Sequence, residues 1–208
     1  MKGQKTLSIS ITEENMKELE EAENYLDTSR RTLYLLSLYL WRETTLKEKE
    51  LRVSLNEIEQ NERNEVFISK LPSIYLELYK EKPLYFYSFN QYITGLFHLK
   101  VKNGIDPERK APQKVGKKNR IYYIQKDILK EFVNFSKKID VNQKTLINYA
   151  IMENFHLKDN NEYHNEKEDK QRKGIEFSYP SLEKFDEIKA SNREMAINKV
   201  LYLIPKKL

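Results

Sequence analysis

The spacing of apolar residues changes within the segment from Lys5 to Arg42, from every second residue to helical intervals. In the first part of the segment, three apolar residues alternate with three hydroxyl residues. They are Leu7, Ile9 and Ile11 against Thr6, Ser8 and Ser10. A period of two is that of a β-strand with one buried face. The pattern therefore predicts a short strand over Thr6–Ile11.

Two helices are predicted directly after this strand. Thr12 is a favourable N-cap, and Glu13 and Glu14 would stabilise the first turn through the helix dipole. The run Asp27-Thr28-Ser29 interrupts the helical pattern, and we expect Ser29 to cap a second helix. That helix has apolar residues at helical spacing, namely Leu33, Leu36 and Leu40.

This order of elements resembles the ribbon-helix-helix DNA-binding family. The matching features are the alternating strand, the hydroxyl stop, a first helix with Met16, Leu19 and Ala22, and the Ser29-Arg30 turn into a second helix. In that family, two chains pair their strands into a ribbon that enters the major groove. The resemblance implies that Thr6, Ser8 and Ser10 contact bases. It also implies that Ser29 and Arg30 hold a phosphate, which a helix N-terminus can do on general grounds.

The strand-helix-helix pattern returns from Asn119 onward. Ile124 ends the predicted strand, and Asn142 takes the capping place that Ser29 has in the first copy. The interval from strand end to second cap is 18 residues in both copies, Ile11 to Ser29 and Ile124 to Asn142. The predicted apolar residues of the two helices are Ile128, Leu129, Phe132 and Phe135, then Leu146, Ile147, Ala150 and Ile151.

Two further segments follow the template less closely. In Val66–Leu99, Leu71-Pro72 closes a predicted strand, Pro83 ends a helix and Ser88 caps another. The connector Arg42–Asn64 is expected to continue as helix. In Gly174–Ile204, the predicted strand holds Ile175, Phe177 and Tyr179. There the first helix is expected after Ser181, and Ser191 is expected to cap the last helix.

One such unit leaves a strand edge unpaired and helices half covered, so it needs a partner. We therefore expect a mainly α fold with short β-strands, in which tandem ribbon-helix-helix units form pseudo-dimers within one chain. Neighbouring units are expected to pair, because short connections are favoured. The predicted domains are residues 1–99 with units 5–42 and 66–99, a basic linker over 100–118, and residues 119–208 with units 119–157 and 174–204.

Composition narrows the possible functions. The chain has no Cys, 39% hydrophobic residues and a formal charge of +5, and seven Lys/Arg lie between residues 100 and 118. That linker is either a solvated loop or an arm along a phosphate backbone. No apolar run approaches the roughly 18 residues of a membrane span. We expect a cytoplasmic protein that is not an enzyme, with no membrane partner, no metal or cofactor, and three ordinary surface histidines.

The outer faces of the four predicted strands differ. The face equivalent to Thr6, Ser8 and Ser10 is predicted as Val66, Ile68 and Lys70 in the second unit. In the third it is Asn119, Ile121 and Tyr123, and in the fourth Gly174, Glu176 and Ser178. The first pair of units is therefore expected to bind DNA better than the second. The candidate DNA-binding residues are Lys2, Lys5, Thr6, Ser8, Ser10, Ser29, Arg30, Arg31, Lys70, Asn119, Asn142 and Lys144.

The sequence leaves two functions open. The leading hypothesis is a sequence-specific binder of double-stranded DNA, such as a transcriptional repressor or a plasmid or phage maintenance factor. The alternative is a protein-interaction or accessory factor of a replication or conjugation complex, since most predicted strand faces are apolar or acidic. The expected assembly is a monomer with internal pseudo-dimers, or a dimer.

Overall fold

The computed structural model describes residues 7–47, 63–68, 70, 72–75, 119–158, 163 and 169–208. This part of the chain is mainly α-helical with four short strands, so the predicted fold class is confirmed at that level. No helix within these residues is long and apolar enough to cross a membrane. The predicted helices around Pro83 and Ser88 and the predicted linker over 100–118 lie outside the described residues.

The first half contains strand β1 (Leu7–Thr12), helix α1 (Glu13–Leu26), helix α2 (Arg30–Lys47) and strand β2 (Arg63–Ile68). A short 3-10 turn follows at Ser73–Tyr75. Asp27 ends α1 in the left-handed conformation, with φ of 49°. Ser29 then caps α2, because its Oγ accepts the backbone N–H of Thr32 at 3.4 Å. The predicted strand, first helix and second cap are confirmed.

The second half repeats this order. Strand β3 (Asn119–Gln125) leads into helix α3 (Lys126–Ile139) and helix α4 (Gln143–Met152). Asp140 ends α3 with φ of 53°, and the Oδ1 of Asn142 accepts the N–H of Thr145 at 2.7 Å. The cap is confirmed, and all eight predicted apolar residues of α3 and α4 are buried.

The last strand is β4 (Lys170–Glu176), and the last two α-helices are α5 (Tyr179–Asp186) and α6 (Arg193–Lys207). Here the sequence prediction was wrong in its boundaries. Tyr179 belongs to a helix rather than a strand, because Ser178 caps α5. Pro180 lies in the first turn of α5, where proline is favourable because a backbone N–H at that position would have no partner within the helix. Ser181 therefore lies inside α5.

The predicted cap of the last helix was also wrong. Ser191 lies within a 3-10 turn, Ala190–Asn192, and α6 begins at Arg193 after Asn192. Asn192 makes no side-chain cap hydrogen bond. The side chain of Arg193 satisfies preceding carbonyls instead, donating to the O atoms of Ile188 at 2.9 Å and Asp186 at 2.8 Å.

The four strands form two antiparallel ribbons within the chain. β1 pairs with β2, and β3 pairs with β4, so the predicted strand partners are confirmed. β2 begins and ends earlier than the predicted Val66–Leu71. Lys70 takes a positive φ of 54°, which is incompatible with continuing the extended run to Leu71. The predicted connector helix is confirmed as far as Lys47, whereas Arg63 and Asn64 are strand residues.

The helices that follow β3 pack against the helices that follow β4. α3 packs along α6, and α4 contacts both α5 and α6. Phe177 and Phe185 lie at the centre of this core with ring centroids 5.2 Å apart, and Tyr122 meets Phe185 edge-on at 6.0 Å. The buried face of the ribbon therefore packs on helices that follow β3 and on helices that follow β4.

Asn198 ties α6 to the end of β3. It is fully buried, and its Oδ1 accepts the N–H of Gln125 at 3.0 Å. Its Nδ2 donates to the carbonyls of Tyr123 and Glu194, both at 2.9 Å. A buried amide with all these partners fixes the position of the strand on the helix.

We predict that Asn198→Ala lowers the free energy of unfolding by about 2–3 kcal/mol, because it leaves buried backbone groups without partners. Chemical denaturation would measure this. Asn192→Ala is the matched control, because Asn192 is an exposed asparagine directly before the same helix. Its free energy of unfolding is expected to change by no more than about 0.5 kcal/mol. Equal effects of the two substitutions would contradict this role of Asn198.

Candidate nucleic-acid interface

The β3–β4 ribbon has one buried and one exposed face. Tyr122, Ile124 and Ile175 are buried against the helices. On the other face Asn119 is exposed, and residues Ile121 and Tyr123 are 53% and 54% exposed. Ile121 and Tyr123 therefore lie on the face of this ribbon that the helices do not cover.

The strand register completes this exposed face. Asn119 lies opposite Glu176, Ile121 opposite Gly174, and Tyr123 opposite Arg172. Directly opposite residues of an antiparallel pair share a face. Their exposed face therefore has six residues, and the predicted placement of Gly174 and Glu176 on it is confirmed.

Ser178 and Arg172 correct the predicted face of β4. Ser178 is fully buried and caps α5, so it cannot belong to the exposed surface. Arg172 is exposed and belongs to the face, but the sequence analysis missed it because the strand was expected to begin at Gly174. No alternation of apolar and polar residues marked this part of the strand, because residues 170–173 are all polar.

The β1–β2 register corrects the predicted face of the second strand. Ser8 lies opposite Phe67, Ser10 opposite Glu65, and Thr12 opposite Arg63. Val66 and Ile68 instead lie opposite Ile9 and Leu7, on the apolar face of the ribbon. A phase error of one residue moves every position of a strand to the other face.

The two ribbons thus carry similar residues on corresponding faces. The face with Ser8 and Ser10 includes Arg63, Glu65 and Phe67, while the exposed β3–β4 face includes Arg172, Glu176 and Tyr123. Each has one arginine, one glutamate and one aromatic residue. The predicted outer face of the first ribbon was therefore wrong on β2, where Arg63, Glu65 and Phe67 take the place of Val66, Ile68 and Lys70.

The turns before α2 and α4 meet through reciprocal ion pairs. Arg31 binds Asp140 at 2.8 Å, and Lys144 binds Asp27 at 2.9 Å. Both aspartates stand two residues before a helix cap, and both cations stand two residues after one. Reciprocal contacts between equivalent positions are those of a local two-fold axis. The hydroxyls of Thr28 and Thr145 meet at the same junction, 2.5 Å apart.

The cations predicted at these helix starts are held by carboxylates. Arg30 contacts Glu23 at 2.9 Å and Glu20 at 3.1 Å. The hydrogen bond with Glu23 raises the pKa of Arg30 above its ordinary value. Burial works to lower the pKa of Lys144, but hydrogen bonds to Asp27 and Glu176 raise it. Lys144 lies 2.9 Å from Glu176 and offsets its charge at the end of the β3–β4 ribbon.

The remaining candidate residues have varied positions. Ser29 is exposed and lies 2.9 Å from the hydroxyl of Thr32, Asn142 is engaged in its cap, and Lys70 is exposed after β2. Arg31 also donates to the carbonyl of Lys70 at 3.3 Å, which brings these two candidates together. Lys2, Lys5 and Thr6 lie outside the described residues.

Tyr75 is a buried contact that the sequence analysis did not anticipate. Its side chain is fully buried, and its hydroxyl lies 3.0 Å from the carbonyl of Leu35 and 2.9 Å from that of Ile139. It therefore links the segment after β2 to helices of both halves. No local sequence pattern predicts this contact, because the two residues that Tyr75 binds are distant from it in sequence.

His156 departs from the prediction of ordinary surface histidines. It is half-buried, and its buried Nδ1 has no hydrogen-bond partner. Burial, with Lys184 and Lys199 nearby, lowers its pKa to about 4, so it is neutral at pH 7. The described residues contain no group of three or more His, Asp or Glu placed to hold a metal ion. His98 and His164 lie outside them.

Comparisons of the chain with family models, curated proteins and solved structures found no match.

We predict different coupling energies for the two reciprocal ion pairs. A double-mutant cycle with Asp27→Asn and Lys144→Met should give about 0.5–1 kcal/mol in denaturation at low salt. The pair Arg31 and Asp140 should give less, because its side chains are 40% and 51% exposed, against 24% and 39% for Lys144 and Asp27. Asparagine is chosen because it tolerates the left-handed conformation at both aspartates. Zero coupling energy in both cycles would contradict a stabilising contact between the turns before α2 and α4.

Proposed function

We propose that this protein is a sequence-specific binder of double-stranded DNA that inserts two-stranded ribbons into the major groove. The observation that carries the proposal is the β3–β4 ribbon, which buries one face on helices and exposes the other. The major groove, about 12 Å wide, admits a two-stranded ribbon. Each of β1 and β3 also continues directly into a helix and a second, capped helix, as ribbon-helix-helix proteins do.

Residue chemistry supports base contacts from both ribbons. Hydroxyls such as those of Ser8 and Ser10 can bond to several base edges, and arginine binds guanine through O6 and N7. Arg63 and Arg172 supply that chemistry to the two ribbon faces. The charge of Glu176, which would repel phosphates, is offset by Lys144.

The two halves are proposed to be ribbon-helix-helix pseudo-dimers within one chain, with domains over residues 1–99 and 119–208. Strand pairing within each half, β1 with β2 and β3 with β4, supports this arrangement. The reciprocal ion pairs support a two-fold relation between the first units of the two halves, α1–α2 and α3–α4. Two such ribbons would cover two major-groove segments about one helical turn, roughly 34 Å, apart. The basic linker over 100–118 would add salt-sensitive contacts to phosphates.

The biological setting proposed is transcriptional repression, or plasmid or phage maintenance, without enzymatic activity. It follows from the resemblance to ribbon-helix-helix proteins. In this mechanism the bases specify the site through the ribbon faces. Phosphate contacts near Ser29 and the N-terminus of α2 position the ribbon in the groove.

A second candidate function is binding to another protein. The exposed apolar pair Ile121 and Tyr123 favours it, because such pairs are common at protein interfaces. Salt dependence separates the two. Affinity for random duplex that falls steeply with salt supports DNA binding, whereas no binding at low salt supports a protein partner.

We predict that Ser8→Ala combined with Ser10→Ala relaxes sequence preference while binding to random duplex stays within about threefold, since base contacts specify and phosphate contacts supply affinity. Selection of bound duplexes from a random pool would measure this. Ser191→Ala, an exposed serine before α6, is the matched control and should select the same sites as the unaltered chain. Unchanged selectivity of the double variant would overturn the role of these hydroxyls.

A further inference from the structure

Ile121 is at the centre of the exposed face of β3. Its side chain is 53% exposed, while the neighbouring residues Arg120 and Tyr122 belong to the opposite face of the ribbon. Moving Ile121 into the core would require a shift of the strand by one residue, which would also expose the buried Tyr122 and Ile124. The register therefore holds an aliphatic side chain at the outer surface.

Gly174 shapes the surface beside Ile121. It lies directly opposite Ile121 and contributes no side chain. A Cβ atom placed there would lie 3.1 Å from the Oδ1 of Asn119, so the amide of Asn119 extends over the glycine. Ile121 is consequently flanked by an amide on one side and by the cross-strand pair Tyr123 and Arg172 on the other.

The arrangement matches the chemistry of a base pair in the major groove. Thymine carries a 5-methyl group there, the one apolar group among the base edges, and aliphatic or aromatic side chains can contact it. Amide and guanidinium groups, such as those of Asn119 and Arg172, bind purine edges. An aliphatic centre flanked by these two groups suits a mixed base sequence that includes thymine.

We propose that the β3–β4 ribbon recognises thymine through its 5-methyl group, with Ile121 as the specificity-determining residue. This inference rests on the proposed function, since it requires the ribbon to enter the major groove. It adds a chemical identity to the target of the second ribbon. It also assigns a role in DNA recognition to a side chain that would otherwise favour a protein partner.

Uracil substitution tests the proposal, because uracil differs from thymine in DNA only by lacking the methyl group. A duplex selected by the full chain is prepared with thymine and with uracil, and both are titrated by fluorescence anisotropy at one salt concentration. We expect about fourfold weaker binding for each contacted methyl group lost, the factor for about 0.8 kcal/mol of buried CH₂.

Variants locate the contact. Ile121→Ala should bind the thymine duplex more weakly than the unaltered chain does. The affinity of this variant should be the same for the thymine and the uracil duplex. Ile121→Val should retain part of the difference between the two duplexes. Leu157→Ala removes another exposed aliphatic side chain, 67% exposed after α4, and should retain the full difference. Because Ile121 and Leu157 are both exposed, unfolding measurements should show that all three variants fold.

The outcomes separate this inference from the proposed function. Equal affinity of the unaltered chain for thymine and uracil duplexes would overturn thymine recognition and leave DNA binding standing. A uracil effect that persists in Ile121→Ala would place the methyl contact elsewhere and overturn the role of Ile121. Absence of binding to any duplex at low salt would overturn the proposed function itself, and with it this inference.

Discussion

The pairing of strand edges within one chain is the constraint on which this structure depends. A lone strand followed by two helices leaves backbone donors and acceptors unpaired and apolar surface uncovered. In this chain β1 finds its partner in β2, and β3 finds its partner in β4. The pairing fixes the register, and the register decides which residues share the face with Ser8 and which share the face with Ile121.

The junction of the two halves combines weak ion pairs with buried contacts. Exposed ion pairs such as Arg31 with Asp140 contribute little to stability. Buried groups add firmer links. Tyr75 contacts carbonyls of α2 and α3, and Asn148 donates to the carbonyl of Leu26 while accepting from the N–H of Ser178. The same junction brings the starts of α2 and α4 together.

Local chemistry made much of the fold predictable from sequence. Ser29 and Asn142 are caps of the expected kind, and the apolar residues of α3 and α4 have the spacing of buried helix faces. The boundary of β4 was mispredicted because Phe177 and Tyr179 continue the alternation of a strand. Ser178, which lies between these two residues, caps a helix, and Pro180, which follows Tyr179, lies in the first turn of that helix. Two overlapping patterns there favour different structures.

The candidate site was predictable only in part, because its composition depends on register. Asn119, Gly174 and Glu176 were expected on the outer face and lie there. Arg172 and the positions of Val66 and Ile68 could not be obtained from local patterns, since the strand limits and phase are set by long-range pairing. Likewise, the carboxylate partners of Arg30 and Lys144 depend on how α1, α4 and β4 pack.

Dimethyl sulfate footprinting tests most directly whether the ribbons insert into the major groove as proposed, because this reagent methylates N7 of guanine in that groove. On a duplex selected by the full chain, the account predicts protected guanines in two segments about one helical turn, roughly 34 Å, apart. Bound duplex with no protected guanine N7 in either segment would contradict it.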